Sequence, residues 1–205
     1  VLREIFTENH MESNNIVIIK YNAGNIRSVD FALRRLGIIA EITDDPDKIR
    51  SAGKVIFPGV GEASGTMEYL RQRGMDEVIR QLTQPVLGIC LGMQLMCGFS
   101  EEGNTDCLGI FDSEVLKFKA GKVPHMGWNA LEGIRGELYS NMNQESYVYF
   151  VHSYFVPENQ FTTAASRYGL LFSASMKRDN FYATQYHPEK SGLQGELILK
   201  NFLKL

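Results

Sequence analysis

The stretch Pro85-Val86-Leu87-Gly88-Ile89-Cys90-Leu91-Gly92-Met93-Gln94-Leu95-Met96 constrains this chain more than any other. Val86 to Ile89 is a short apolar run of the kind that forms a buried parallel strand. From Leu91 the apolar residues follow at helical spacing, so Cys90 falls where a strand turns into a helix. Gly88 and Gly92 flank it in the pattern Gly-x-Cys-x-Gly, a nucleophile elbow with a thiol in place of the hydroxyl. Such a turn crowds the chain, and a Cβ at either glycine would collide with the neighbouring strand or helix. Amides at the start of a helix, with the helix dipole behind them, favour a thiolate and can hold an oxyanion. By itself the motif fits equally a buried cysteine between two packing glycines, since free cysteine is among the most buried residue types.

Upstream of the elbow, strand and helix signals alternate. Ile16 to Ile19 reads as a buried strand, followed by the turn Tyr21-Asn22-Ala23-Gly24-Asn25, with Asn25 placed to cap a helix. Ile26, Val29, Leu33 and Leu36 share one helical face, and Gly37 ends it. Ile38 to Ile42 is the expected second strand. Asp44 or Asp45 caps a short helix with Pro46 in its first turn. Lys54 to Phe57 is the third strand and runs into Pro58-Gly59-Val60-Gly61. Met67, Leu70, Val78, Ile79 and Leu82 mark a helical stretch that Gly74 breaks in two. Four strand–helix alternations predict a parallel, doubly wound sheet. Its third and fourth strands would deliver the Pro58–Gly61 loop and Cys90 to one edge, where open α/β sheets bind ligands.

From Gly103 the pattern changes. Gly109–Lys119, Met126–Leu131, Ser146–Val156, Thr162–Ser166, Leu171–Lys177 and Phe181–Tyr186 read as strands of an antiparallel extension, with turns such as Arg178-Asp179-Asn180 between them. Gly192 to Leu205 is a closing helix with Leu193, Leu197, Ile198, Phe202 and Leu203 expected inward. There is no internal repeat or linker that would split the chain.

Composition excludes several classes. With 205 residues, 44% hydrophobic and 22% charged, there is material for a sizeable core. A net charge of −3 offers no polyanion surface, so no nucleic-acid partner is expected. Three cysteines without C-x-x-C spacing argue against a disulfide framework or a zinc site, and for a reducing compartment. No apolar run reaches membrane-spanning length and no signal-peptide pattern is visible, so the expectation is a cytoplasmic protein without membrane contact. Residues 1–14 read as a disordered or tag-like segment ahead of the folded part, with Met11 as a candidate native start.

Tyr182-Ala183-Thr184-Gln185-Tyr186-His187-Pro188-Glu189 carries the other half of the chemistry. Pro188 biases His187 towards an extended backbone, in which His187 and Glu189 would face the same side. A carboxylate beside an imidazole orients the ring and stabilises its cation, and a cysteine at the other ring nitrogen completes a Cys-His-Glu triad. His125 and His152 read as structural, Cys97 as core two turns along the elbow helix, and Cys107 as lacking a partner.

Gly88-Ile89-Cys90-Leu91-Gly92 together with His187-Pro188-Glu189 resembles the class-I (triad) glutamine amidotransferases, over essentially all of Ile16 to Leu205. The resemblance implies a flavodoxin-like fold for residues 15–205, hydrolysis of glutamine to glutamate and ammonia, and no cofactor and no metal. It implies Cys90 as nucleophile, His187 as general base and acid, and Glu189 as orienting carboxylate. Val60 and Gly61, with the amide of Leu91, would form the oxyanion site. Gln94, Glu102, Ser153 and Tyr154 would hold glutamine. Pro58-Gly59-Val60-Gly61, Met93-Gln94 and Pro124-His125-Met126-Gly127-Trp128-Asn129 resemble the branch of the family that feeds ammonia to a separate (β/α)₈ cyclase subunit in histidine biosynthesis. That branch implies a heterodimer with Asn25, Trp128, Tyr149 and Lys190 at the interface, and a peptide flip between Gly59 and Gly61 that gates the oxyanion site. A glutaminase serving another synthase, a cysteine peptidase-like hydrolase on the same scaffold, and a non-catalytic interaction subunit are the rival readings.

Overall fold

The structure is a computed structural model that describes residues 15–21, 25–119, 121–144 and 146–205. The N-terminal segment 1–14 and the Asn22-Ala23-Gly24 part of the first turn lie outside the described residues. In chain order the elements are β1 (Ile16–Ile19), α1 (Ile26–Arg35), β2 (Glu41–Thr43), α2 (Pro46–Ser51), β3 (Lys54–Gly59), α3 (Ala63–Gln72), α4 (Met75–Arg80), β4 (Val86–Cys90) and α5 (Leu91–Leu95). Then follow β5 (Phe99–Ser100), β6 (Thr105–Asp106), β7 (Glu114–Lys117), β8 (His125–Ala130), β9 (Tyr147–His152) and β10 (Tyr154–Phe155). The chain closes with β11 (Thr162–Tyr168), β12 (Leu170–Arg178), β13 (Phe181–Thr184) and α6 (Gly192–Leu203). No helix among the described residues is long and apolar enough to cross a membrane.

Seven strands form one sheet in the order β11-β12-β13-β4-β3-β1-β2. From β13 to β2 the neighbours are parallel, and β12 and β11 add antiparallel to that edge. The apolar runs are continuous because both sheet faces are covered. Val17, Ile19, Val55, Phe57 and Val86 pack with Ile49, Met67, Leu70, Val78, Ile79, Met93 and Met96 on one face. Ile16, Ile18, Ile56, Leu87 and Ile89 pack with Val29, Leu33, Ile198, Leu199 and Phe202 of α1 and α6 on the other. The doubly wound, flavodoxin-like reading with an antiparallel extension therefore holds. The extension also includes a two-stranded ribbon, β8-β9, and a small sheet, β10-β7-β5-β6.

Several local expectations are corrected. Residues 38–40 do not join β2: the Ile38 N–H donates to Leu33 O and closes the last turn of α1, and Ile39 is 81% exposed. Asp45, rather than Asp44, caps α2 by accepting from the amides of Asp47 and Lys48. The long strand expected over Gly109–Lys119 shrinks to β7. Leu108, Gly109 and Phe111 instead donate to the carbonyls of Leu95, Cys97 and Met96, which the short elbow helix leaves open. Cys97 lies just beyond that helix and is buried. Ser146–Val156 breaks at Ser153, where the chain leaves its partner β8 and pairs with β7. On α6, Leu193 is 82% exposed and Gly195, Ile198, Leu199 and Phe202 face inward, so the helical face is rotated from the expected one.

The elbow glycines have the reason anticipated for them. A Cβ on Gly92 would lie 2.0 Å from the backbone oxygen of Phe57, and one on Gly88 would lie 2.8 Å from Met96 Sδ. Gly92→Ala must push α5 off β3 and is expected to cost more than about 4 kcal/mol, at the extreme end of single substitutions. Gly98→Ala, whose new Cβ would find its nearest neighbour at 3.5 Å, is expected to cost less than about 1 kcal/mol. Urea unfolding of the two variants measures both.

Candidate active site

Three adjacent parallel strands bring the sequence-predicted residues to one edge. Gly59 at the end of β3 is in register with Cys90 at the end of β4. Thr184 at the end of β13 is in register with Ile89, so the chain beyond it runs Gln185-Tyr186-His187 alongside the elbow. Cys90 has φ 55° and ψ −106°, a conformation that costs a non-glycine residue about 1–3 kcal/mol and persists only where packing enforces it.

The Cys90 sulfur sits among groups of opposite preference. Its thiol can donate to Val151 O at 3.8 Å, and it accepts from Gln185 Nε2 at 3.7 Å. His187 is fully buried. Its Nδ1 is 2.8 Å from Glu189 Oε1, while its Nε2 has no hydrogen-bond partner. Burial disfavours the imidazolium, but the neighbouring Cys90 sulfur and then Glu189 favour it, and together they raise the His187 pKa to about 10. His187 is extended as expected, but the carboxylate reaches it through a 3₁₀ turn, Pro188–Lys190, and not by strand alternation.

Asn25 departs from its expected capping role. It has φ 73° and makes no side-chain cap. Its Nδ2 instead donates to Glu189 Oε1 at 2.5 Å and lies 3.4 Å from His187 Nδ1. Ser191 clamps the same loop: its hydroxyl donates to His187 O at 2.6 Å and accepts from Tyr149 N–H at 2.9 Å. The His187 N–H donates to Tyr149 O, also at 2.9 Å. These inward roles of Asn25, Ser191 and the Tyr149 backbone carry no sequence signature.

A cleft of about 280 Å³ opens onto the sulfur. Val60, Gly61 and Leu91 line it, as do Gln94, Glu102, Ser153 and Tyr154, so the oxyanion and substrate candidates share one cavity with Cys90. Pro124, Val151 and His152 complete its wall. Gln94 is buried, and its Nε2 donates to Tyr154 O at 3.0 Å and Gln185 Oε1 at 2.9 Å. Glu102 accepts from the Ala63 N–H at 2.9 Å, and burial raises its pKa. Tyr21, buried beneath the Val60 loop, donates to Pro58 O.

His125 and His152 are structural, as read from the sequence, and neutral. Burial lowers His152 to about 3 and His125 to about 4. On the opposite side of the ribbon, Trp128 is 56% exposed and stands edge-on to Tyr149 with ring centroids 6.1 Å apart. Met126 and Tyr147 on that face are 61% and 57% exposed. Lys190 is exposed on the turn after His187. Gln185 is the residue at the sulfur that the sequence reading missed, although its position two residues before His187 placed it within reach.

Residues 17–205 match the family model described as "Glutamine amidotransferase class-I". The chain belongs to that family. It is 59% identical over 194 residues to a Bacteroides fragilis protein named imidazole glycerol phosphate synthase subunit HisH, covering 93% of this chain and 99% of that one. The Pasteurella multocida protein of the same name is 49% identical, covering 93% and 98%. Among solved structures, one described as a glutamine amidotransferase matches with a TM-score of 0.72 at 19% identity, over 92% of this chain and 97% of that one. A structure described as PurLQS from Thermotoga maritima matches with a TM-score of 0.69 at 15% identity, over 93% and 97%. At these identities the structural matches show the fold.

Because the sulfur outranks Glu189 in raising the ring's pKa, Cys90→Ala should lower the His187 midpoint well below about 10, read by ¹H–¹⁵N NMR. The folded value lies above the ordinary 6.5, so His187 stabilises the fold fully below about pH 6.5, and that contribution is lost as pH rises through about 10. The alkaline loss of stability should therefore be shallower in Cys90→Ala than in the parent chain.

Proposed function

We propose that this chain is the glutaminase subunit of an imidazole glycerol phosphate synthase. It hydrolyses glutamine to glutamate and ammonia and passes the ammonia to a (β/α)₈ cyclase subunit. The observation that supports the catalytic reading is the registry of Gly59 with Cys90 and of Thr184 with Ile89 on three adjacent parallel strands, with Cys90 opening onto the cleft. The branch rests on the likeness to the HisH proteins over nearly the whole chain.

In this reading residues 15–205 form the amidotransferase domain. Cys90, as thiolate, attacks the side-chain amide carbon of glutamine, and the oxygen takes the charge. Amides of the Val60–Gly61 loop and of Leu91 hold that oxyanion, a contribution of about 3 kcal/mol per donor. His187, as imidazolium, protonates the departing ammonia, then as neutral base activates water against the glutamyl thioester. Glu189 orients the ring through Nδ1, and Asn25 holds Glu189 in place. Glu102 and the Oε1 of Gln94 suit the ammonium group of glutamine, because both Gln94 N–H groups are already engaged. Ser153 and Tyr154 hold the rest of the substrate.

The cyclase docks on the exposed ribbon face around Trp128 and Tyr149, with Lys190 and Asn25 at its margin, making a heterodimer in the cytoplasm. An exposed apolar patch of this kind suits a partner surface. Tyr149 links the two functions, since its side chain faces outward while its backbone holds His187 and Ser191. The peptide between Gly59 and Gly61 gates the oxyanion site. Gly61 has φ 137°, which an alanine adopts only with strain, and its surroundings leave room for a Cβ. Gly59 does not permit the same test, because its Cβ would lie 2.7 Å from Leu91 Cβ and 2.9 Å from the Gly92 amide nitrogen.

Cys90→Ala should abolish glutamine-dependent turnover of the assembled pair and leave ammonium-dependent turnover intact. Retained glutamine turnover would remove Cys90 from its role. Glu189→Gln should slow glutaminase turnover less than His187→Ala. Gly61→Ala should reduce activation by the cyclase and its ligand more than it weakens subunit binding, measured by titration calorimetry alongside turnover.

A further inference from the structure

We propose that Gln185 is a positioning residue for the nucleophile, whose amide N–H is aimed at Cys90 Sγ and holds the sulfur ready to carry negative charge. This rests on the glutaminase reading of the cleft and adds to it a role for a residue outside the predicted triad.

The direction of the amide is fixed by a single carbonyl. Tyr154 O can only accept. The Gln94 atom 3.0 Å away is therefore the nitrogen, Nε2. That nitrogen lies 2.9 Å from Gln185, so the Gln185 atom facing it is the oxygen, Oε1. The other end of the Gln185 amide, 3.7 Å from the sulfur, is then Nε2, a donor. A flipped Gln185 would set two donors against each other at Gln94 and turn an oxygen towards Cys90. Gln185 is fully buried, so water does not compete for either end of its side-chain amide, and its backbone N–H donates separately to Ala174 O.

The same carbonyl is held from the other side. His152 Nδ1 lies 2.7 Å from Tyr154 O and must carry the proton there. Because His152 is neutral, its Nε2 is bare and accepts from His125 Nδ1 at 3.0 Å. His125 Nε2, bare in turn, accepts from Asn129 Nδ2 at 3.4 Å. Every bond from the ribbon to the sulfur thus has an assigned direction, and Gln185 is its last donor.

The need for such a donor lies in the sulfur's other neighbours. Val151 O, at 3.8 Å, suits the thiol and opposes the thiolate. An N–H 3.7 Å from the sulfur favours the anion that this carbonyl opposes. Hydrogen bonds to charged groups are the strong ones, so the effect falls on the charged form.

The test is the pH dependence of Cys90 alkylation by iodoacetamide in the isolated chain, followed by peptide mass analysis. Cys97 and Cys107 are buried thiols held up by desolvation and react slowly. In Gln185→Met, of similar length and without a donor, the alkylation profile should move up by about one pH unit. In the assembled pair kcat should fall on the order of tenfold, with the KM for glutamine changed less than about twofold. Gln94→Met, which keeps Gln185 but removes its alignment, should move the profile the same way by less. A folded Gln185→Met with an unmoved profile overturns the proposal. If Gln185→Met does not fold, the Gln94→Met profile decides: a shift supports the proposal and no shift overturns it. A parent chain in which Cys90 neither alkylates nor supports glutamine hydrolysis would instead defeat the functional reading.

Discussion

The contact between the elbow helix and strand β3 is the constraint on which the site depends. With no side chain at Gly92, α5 comes down against the carbonyl of Phe57, and the chain turns from β4 into α5 through one residue of positive φ. That residue is Cys90. The strain is sustained by the packing of both sheet faces, where Phe57, Ile56, Leu87 and Ile89 are fully buried. Burial of each such side chain is worth about 1.5–3 kcal/mol, enough in sum to hold one unfavourable backbone conformation. The sulfur is thereby lifted to the strand edge, and the Gly59 loop is drawn beside it by registry.

Strand β9 is the second organising element. Its outward side chains, Tyr147, Tyr149 and Val151, alternate with Val148, Phe150 and His152 on the buried side. The same strand touches three parts of the cleft region, twice through its backbone and once through the His152 ring. Tyr149 meets His187 and Ser191, Val151 O meets the sulfur, and His152 secures the Tyr154 carbonyl. Val148 and Phe150 pack into one core with Ile18, Leu87 and Ile89, so the ribbon is tied to the parallel sheet.

The elbow turn, the pairing of His187 with Glu189 and the alternation of strands and helices were legible because each rests on local chemistry. Val86-Leu87-Gly88-Ile89 is apolar throughout because its strand is buried on both faces, and that reads as a continuous run. Gly88 and Gly92 are glycine for steric reasons that any side chain would violate. His187-Pro188-Glu189 carries its own turn. Phe99–Ser100 and Thr105–Asp106 are two residues each, too short for any periodicity to register. Leu193 followed the helical pattern of α6 but faces outward, because no hydrophobic pattern distinguishes a core from an exposed apolar patch.

What the sequence determined by itself was the doubly wound sheet and the edge to which Gly59 and Cys90 come. The tertiary structure alone decided how the side chains around that edge are aimed. Asn25 reaches Glu189 across 164 positions of the chain, and Gln185 reaches Cys90 across 95. Such contacts leave no trace in spacing or composition, because a side-chain amide can serve as donor or acceptor with either end. Only the neighbours assembled by folding, here one carbonyl at Tyr154, determine which end faces the sulfur.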